Sequence, residues 1–438
     1  MRQFLSRFTR AIRKTSRGAA KGLLFLSIFL GLGPASVPAE HALLVEVTQL
    51  TAPDQFDFVD WESRAVAGEI SRRWHTPALP ASPGEQIALI ENFLDLEAQR
   101  RAWQEQLESG YAACPTGAAE ACPPAEQIKI SNLEQQLAQI HADQAGLSPQ
   151  IETVLSRQIE AVLAAEGFTV MEQVLPPVAF RLVDPPTALI ISPRDKIENR
   201  HFVGLQPGLS PFRRAEIEAA LARRGDVSSY VTDIGGLGSY PTMVIRHNHL
   251  PYLVEIIAHE WLHNYLFTFP TNIAWGYQTF PKLTTINETT ADIVAEEISR
   301  KVITQFYPDW MKQLPPLDQS GHPAPRGPSE FDLAMRRIRR NVDLLLANGH
   351  IEEAEAYMEA ERLKLAEKGY HLRKLNQAYF AFHGSYALSP ASVDPLGPQL
   401  QQLRAAGPSL RAFVNRVGWL NSYADYLAWL QTAGIEAD

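Results

Sequence analysis

The segment Ala258-His-Glu-Trp-Leu-His-Asn264 carries the pattern H-E-x-x-H. On a helix, His259 and His263 lie four residues apart and project from one face, one turn from each other. Two imidazoles so placed can reach a single Zn²⁺ at roughly 2.0–2.1 Å. Glu260 lies on the adjacent helix surface, where it reaches a water held by the metal rather than the metal itself. It would take that water's proton as general base, with the ion lowering the water's pKa towards neutrality. A hydrolytic site of this kind needs a third protein ligand and an open fourth position. Glu288, 25 residues after His263 in Asn287-Glu-Thr-Thr-Ala-Asp292, can supply the ligand. Glu296, two turns further along the same face, is the fallback. Asp292, one turn after Glu288, can accept a hydrogen bond from the far ring nitrogen of His259 and so fix its tautomer.

H-E-x-x-H followed by N-E-x-x-x-D resembles the gluzincin branch of zinc peptidases, the thermolysin-like group. The resemblance covers Ser228 to Arg300. It implies two ligands in His259 and His263, a catalytic Glu260, a third ligand in Glu288 and an orienting Asp292. The interval from His263 to Glu288 is somewhat longer than in the best-known members, a departure that falls on the loop from Thr268 to Lys282. A metzincin would need Gly and His at positions 266 and 269, where this chain has Leu266 and Phe269. The resemblance also implies an edge strand just before the active-site helix, on which an extended peptide could pair by its main chain. Tyr240–Ile245 is the expected strand, and Pro241 argues for the sheet edge. Gly235, Gly236 and Gly238 either let substrate approach closely or form an ordinary glycine turn. Related enzymes stabilise the oxyanion with a Tyr or His from a C-terminal subdomain. His383 and Tyr386 are the candidates here, with Tyr277 a third. His247 and His249 read as polar loop residues.

These groups need elements to hold them. The active-site helix is expected from Leu250 to Phe267, with Leu253, Ile256, Ile257, Leu262 and Leu266 as its buried stripe. The helix carrying Glu288 is expected from Leu283 to Phe306. Val178–Val183, Thr187–Ser192, Ser228–Asp233 and Tyr240–Ile245 read as strands, with a helix from Pro211 to Arg224 among them. Upstream, 40–80 reads as irregular. Apolar periodicity predicts helices from Pro83 to Ala113, from about Ala125 to Ala145 and from Pro149 to Glu166. The first two would form a hairpin, closed at its tip by a disulfide between Cys114 and Cys122, the chain's two cysteines. Downstream, 315–328 is a proline-rich linker, followed by helices at Glu330–Ala347 and Ile351–Lys368.

The bulk composition narrows the function classes. With 45% hydrophobic and 20% charged residues the chain is globular rather than disordered. Its net charge of −9 includes seven cations and no acid within residues 1–39, which leaves the remainder at −16. A body that acidic repels phosphate backbones, so nucleic acid is not an expected partner. The basic N-terminus precedes an apolar run from Gly22 to Gly33 and then Pro34-Ala-Ser-Val-Pro-Ala39. This reads as a signal peptide cleaved before Glu40, placing the protein outside the cytoplasm. The alternative is an uncleaved anchor, residues 22–37, attaching the chain to a membrane.

The expected fold class is therefore α+β and zincin-like. A small twisted sheet packs on the active-site helix, a mostly helical C-terminal subdomain forms the other wall, and an N-terminal helical hairpin is appended. The expected divisions are 1–39, 40–170, 171–314 (catalytic), 315–328 and 329–438. The expected function is an exported zinc metallopeptidase acting on peptides or proteins. The alternatives are a scaffold with a vestigial zinc site, or a zinc hydrolase of a non-peptide amide.

Overall fold

The computed structural model describes residues 42–74, 77–112, 123–269, 271–276, 280–314, 316 and 329–437. The N-terminal segment 1–39, the Cys114–Cys122 disulfide, Tyr277 and nearly all of the proline-rich linker lie outside the described residues. The chain divides into two compact units, meeting in sequence at Pro53 and Asp54. In the first, the described residues form a helix, α1 (Ala42–Thr51). In the second, α2 (Phe58–Trp74) opens the chain. These two helices correct the expectation that 40–80 is irregular. The prolines there, Pro53, Pro77 and Pro80, fall between and after the helices rather than inside them, where they cost no helical hydrogen bond.

Two long helices follow, α3 (Pro83–Ala112) and α4 (Pro124–Ala165). They run antiparallel: Gly110 lies against Ile130, and Gln144 donates to Glu97 at 3.1 Å. The predicted break between Ala145 and Pro149 does not occur, and α4 continues through Pro149 for 42 residues. Proline removes one helical hydrogen bond, at a cost of about 3 kcal/mol. What holds the helix together is the apolar stripe on either side, where Ile140, Ile151, Val154 and Leu155 are all buried. Ser148 and Thr153 hydroxyls donate to the carbonyls of Gln144 and Pro149, both at 2.7 Å.

Among the described residues the strands form three small sheets. β1 (Thr169–Val170) and β2 (Gln173–Val174) make a short hairpin. The second sheet has β4 (Thr187–Pro193) at its centre, antiparallel to β5 (His201–Leu205) and β6 (Val227–Asp233). β5 gave no clear alternation in the sequence. The free edge of β6 is closed by side chains. The Val231 N–H donates to Glu218 at 2.7 Å, and Arg373 donates to the Val231 carbonyl at 2.7 Å. Glu218 belongs to α5 (Pro211–Ala222). The third sheet has the order β3 (Phe180–Val183), β8 (Thr242–Ile245), β7 (Gly236–Leu237). β3 and β8 are parallel, and β7 and β8 antiparallel. β8 is thus central, not an edge as expected. Pro241 precedes the strand, so its missing N–H takes nothing from the ladder. The edge is β7.

The rest is helical: α6 (Leu250–Thr268), α7 (Asn272–Gly276), α8 (Pro281–Phe306), α9 (Glu330–Ala347), α10 (Ile351–Glu367), α11 (Gln377–His383), α12 (Leu396–Ala406), α13 (Leu410–Gly418) and α14 (Tyr423–Ala433). The main core joins α3, α4, α6, α8 and α12–α14, with Leu253, Val254, Ile257 and Leu262 of α6 fully covered. Each such side chain contributes about 1.5–3 kcal/mol by its burial. A second core packs α9–α11 on Ala188, Ile190 and Tyr230 of the β4–β6 sheet. Among the described residues no helix is long and apolar enough to cross a membrane.

Candidate metal site

The site lies between α6 and α8, which run antiparallel. Near one end of the pair, the Ser299 hydroxyl donates to the Pro251 carbonyl at 2.8 Å. Further along, His259 faces Glu288 and Asp292. The N-terminus of α6 is capped by His249, whose Nδ1 accepts the Tyr252 N–H at 3.3 Å, while His247 Nδ1 accepts the His249 N–H at 3.0 Å. Both imidazoles read as loop residues in the sequence, and both act here as helix-end acceptors.

His259, His263 and Glu288 offer ligand atoms that all lie within 4.8 Å of one another, and this group could hold a metal ion. The two Nε2 atoms are 3.1 Å apart. Glu288 Oε2 stands 3.3 Å from Nε2 of His259 and 3.6 Å from Nε2 of His263. Donors 2.0–2.1 Å from a tetrahedral centre lie about 3.3–3.4 Å from each other, so the three separations bracket the required edge. The tautomer fits as well. His259 Nδ1 is 3.0 Å from Asp292 Oδ1, so its N–H is engaged there and Nε2 turns a lone pair towards the cluster. Glu296 is not part of this group.

The electrostatics call for positive charge. Burial works to raise the Glu288 carboxyl, but the His263 and His259 rings overturn that and hold it far below the ordinary range. Burial would lower His259, yet the hydrogen bonds to Asp292 and Glu288 hold it well above its ordinary value. The cluster therefore holds a proton tightly when nothing stronger is present, and a divalent cation brings twice that charge.

Glu260 is buried beside the cluster, and burial raises its carboxyl above the usual range. Its carboxylate stands against the glycine strand. A Cβ built on Gly236 would lie 2.6 Å from Oε1, and one on Gly238 would lie 3.4 Å from Oε2. Asn264, next to His263, donates to the Ser239 carbonyl at 2.9 Å and to Thr242 Oγ1 at 3.0 Å, pinning the β7–β8 loop to α6. Sequence reasoning passed over Asn264, because an amide in a loop-facing position has no signature of its own.

The two C-terminal candidates separate. Tyr386 packs its ring 6.2 Å from that of His259, and its phenol lies close enough to Glu288 to feel the carboxylate's charge. The Glu288 carboxylate, followed by burial, holds the phenol well above its ordinary pKa. The Ala387 N–H donates to Thr289 Oγ1 at 3.0 Å, which fixes the Tyr386 segment to α8. Thr289 also went unremarked in the sequence, although its place directly after Glu288 was a usable signal. His383 sits instead among Tyr379, Phe382 and Tyr230, at ring separations of 4.3, 5.0 and 6.1 Å, and burial takes it down to about 4. No protein-family model, no curated protein and no solved structure matches this chain, so what the site can do follows from its own geometry.

Proposed function

We propose that this protein is a zinc-dependent metallohydrolase of the gluzincin kind, on a zincin-like α+β fold, and that it cleaves peptide bonds. The carrying observation is the set of three separations between His259, His263 and Glu288, which match the edges of a tetrahedral centre. Two imidazole nitrogens and one carboxylate oxygen form a donor set suited to zinc, and a fourth position is left for water or substrate. Zinc held there supplies Lewis acidity, polarising a carbonyl and bringing the pKa of water near neutrality.

The chain's own residues do the rest. Asp292 holds the His259 ring in the tautomer that presents Nε2. Glu260 accepts the proton of the attacking water at its carboxylate and returns it to the leaving amine. Its buried position keeps bulk water from competing for that proton. Tyr386 donates its phenolic proton in a hydrogen bond to the developing oxyanion. The free edge of β7, at Gly236–Leu237, binds an extended main chain without reading side chains. The basic, then apolar N-terminal sequence supports action outside the cytoplasm.

The test is metal analysis of the purified protein beside digestion of a mixed peptide library. About one zinc per chain and cleavage lost to a chelator are expected. Glu260→Gln should retain zinc and lose about 10²–10⁴-fold in turnover. Protein that takes up no metal, or Glu260→Gln with undiminished cleavage, would sink the reading.

A further inference from the structure

We propose that Gly236 is a positioning residue for Glu260: its missing side chain is the slot in which the base stands. The proposal deepens the hydrolase reading and rests on it.

A Cβ on Gly236 would lie 2.6 Å from Glu260 Oε1, 2.9 Å from Cγ and 3.0 Å from Cδ. The backbone does not demand glycine there, because Gly236 is not among the residues with positive φ. The requirement is space alone. Something must yield when a methyl group is added, and the strand cannot. Gly236 is in register with Val244 of β8, and the Ile245 N–H donates to the Gly235 carbonyl at 2.8 Å. Asn264 then ties the following loop to the same helix that carries Glu260. The Glu260 carboxylate is the free end of a flexible side chain, so it moves instead. Relaxing 2.6 Å to an ordinary contact of about 3.5 Å displaces it by about 1 Å. A displacement of that size at a reacting group costs on the order of 100-fold in rate.

Gly236→Ala should therefore lose about 100-fold in kcat with KM little changed, while zinc content and Tm stay near wild type. A rise in KM at constant kcat would make Gly236 a substrate contact only and overturn the proposal. Glu260→Ala removes the Cγ, Cδ and carboxylate that a Cβ on Gly236 would meet. In that background Gly236→Ala should change neither zinc content nor Tm, and a loss of either would overturn the slot. Should Gly236→Ala fail to fold, the double variant must fold, and a double that also fails overturns the slot.

A second readout needs no substrate. The visible bands of cobalt(II) in the site respond to a charge beside its open position. They should shift in Gly236→Ala, and adding Gly236→Ala to Glu260→Ala, where no side chain fills the slot, should shift them no further. Wild-type protein that binds cobalt but hydrolyses nothing ends the hydrolase reading, and the spectra still decide the slot. Identical spectra for wild type and Gly236→Ala would overturn it.

Discussion

Glu218 and Glu288 are equally buried, each 4% exposed, and their surroundings differ in kind. Glu218 Oε1 accepts from the Val231 N–H and from Arg373, both at 2.7 Å. Its Oε2 accepts from Arg373 at 3.0 Å and Lys374 at 3.2 Å. Every bond of that carboxylate ends on a protein donor, and the group exists to seal a strand edge. Glu288 faces two imidazole nitrogens and the Tyr386 phenol, and one of the imidazoles has already engaged its Nδ1–H with Asp292. Buried polarity that serves structure closes on itself. On the proposed reading, the polarity around Glu288 is completed by a cation from outside.

The largest expected effect breaks this comparison at the metal. Anything that binds the folded chain and not the unfolded one stabilises it by about 4 kcal/mol at a free concentration 1,000 times Kd. Zinc at that level should raise the melting temperature of wild type and leave that of Glu288→Ala unmoved. Equal zinc shifts in the two proteins would show that Glu288 is no ligand.

The next effect comes from Glu218. Glu218→Ala leaves Arg373 and Lys374 facing the strand edge with no carboxylate, at a cost of about 3 kcal/mol, read by chemical denaturation. The zinc shift should survive intact in this variant. The pH dependence has a definite sign. Burial would raise the Glu218 carboxyl, but Arg373, Lys374 and the Val231 N–H together hold it below the ordinary 4.5. A lowered folded-state value gives stability that is fully present above 4.5 and drains away as pH falls below it. Glu218→Gln should flatten that acid limb. An unchanged slope would mean that the arginine is paired elsewhere.

The two regions also differed in how well the sequence disclosed them. His259, His263, Glu288 and Asp292 were legible together because each pair sits four apart, and helical periodicity alone puts such pairs on one face. The distance between the two helices follows from packing, which no spacing encodes. Pro149 misled because a proline's local cost is visible and the buried stripe that outweighs it is distributed over a whole helix. Pro241 misled in a similar way: it belongs to the turn before β8, and strand order depends on partners distant in sequence. Glu218 left no signal at all, since its partners Val231, Arg373 and Lys374 lie 13, 155 and 156 residues away. Between His383 and Tyr386, three residues apart, only the tertiary structure could choose which one meets Glu288.

The smallest expected effect sharpens the comparison at Asp292. Its side chain is 33% exposed, so it can be neutralised without stranding a buried charge. Asp292→Ala removes the acceptor that holds the His259 Nδ1–H, freeing the ring to rotate and lowering the basicity of Nε2. Zinc affinity should fall about 10–100-fold, measured by competition with a chromophoric chelator. Asp292→Asn separates the two contributions. An amide oxygen still accepts the same hydrogen bond, so ring orientation is preserved while the charge is lost. If orientation dominates, Asp292→Asn should keep most of the affinity that Asp292→Ala loses. If charge dominates, the two variants should bind zinc equally weakly. Wild-type affinity in both would place Asp292 outside the site and leave the His259 tautomer to some other partner.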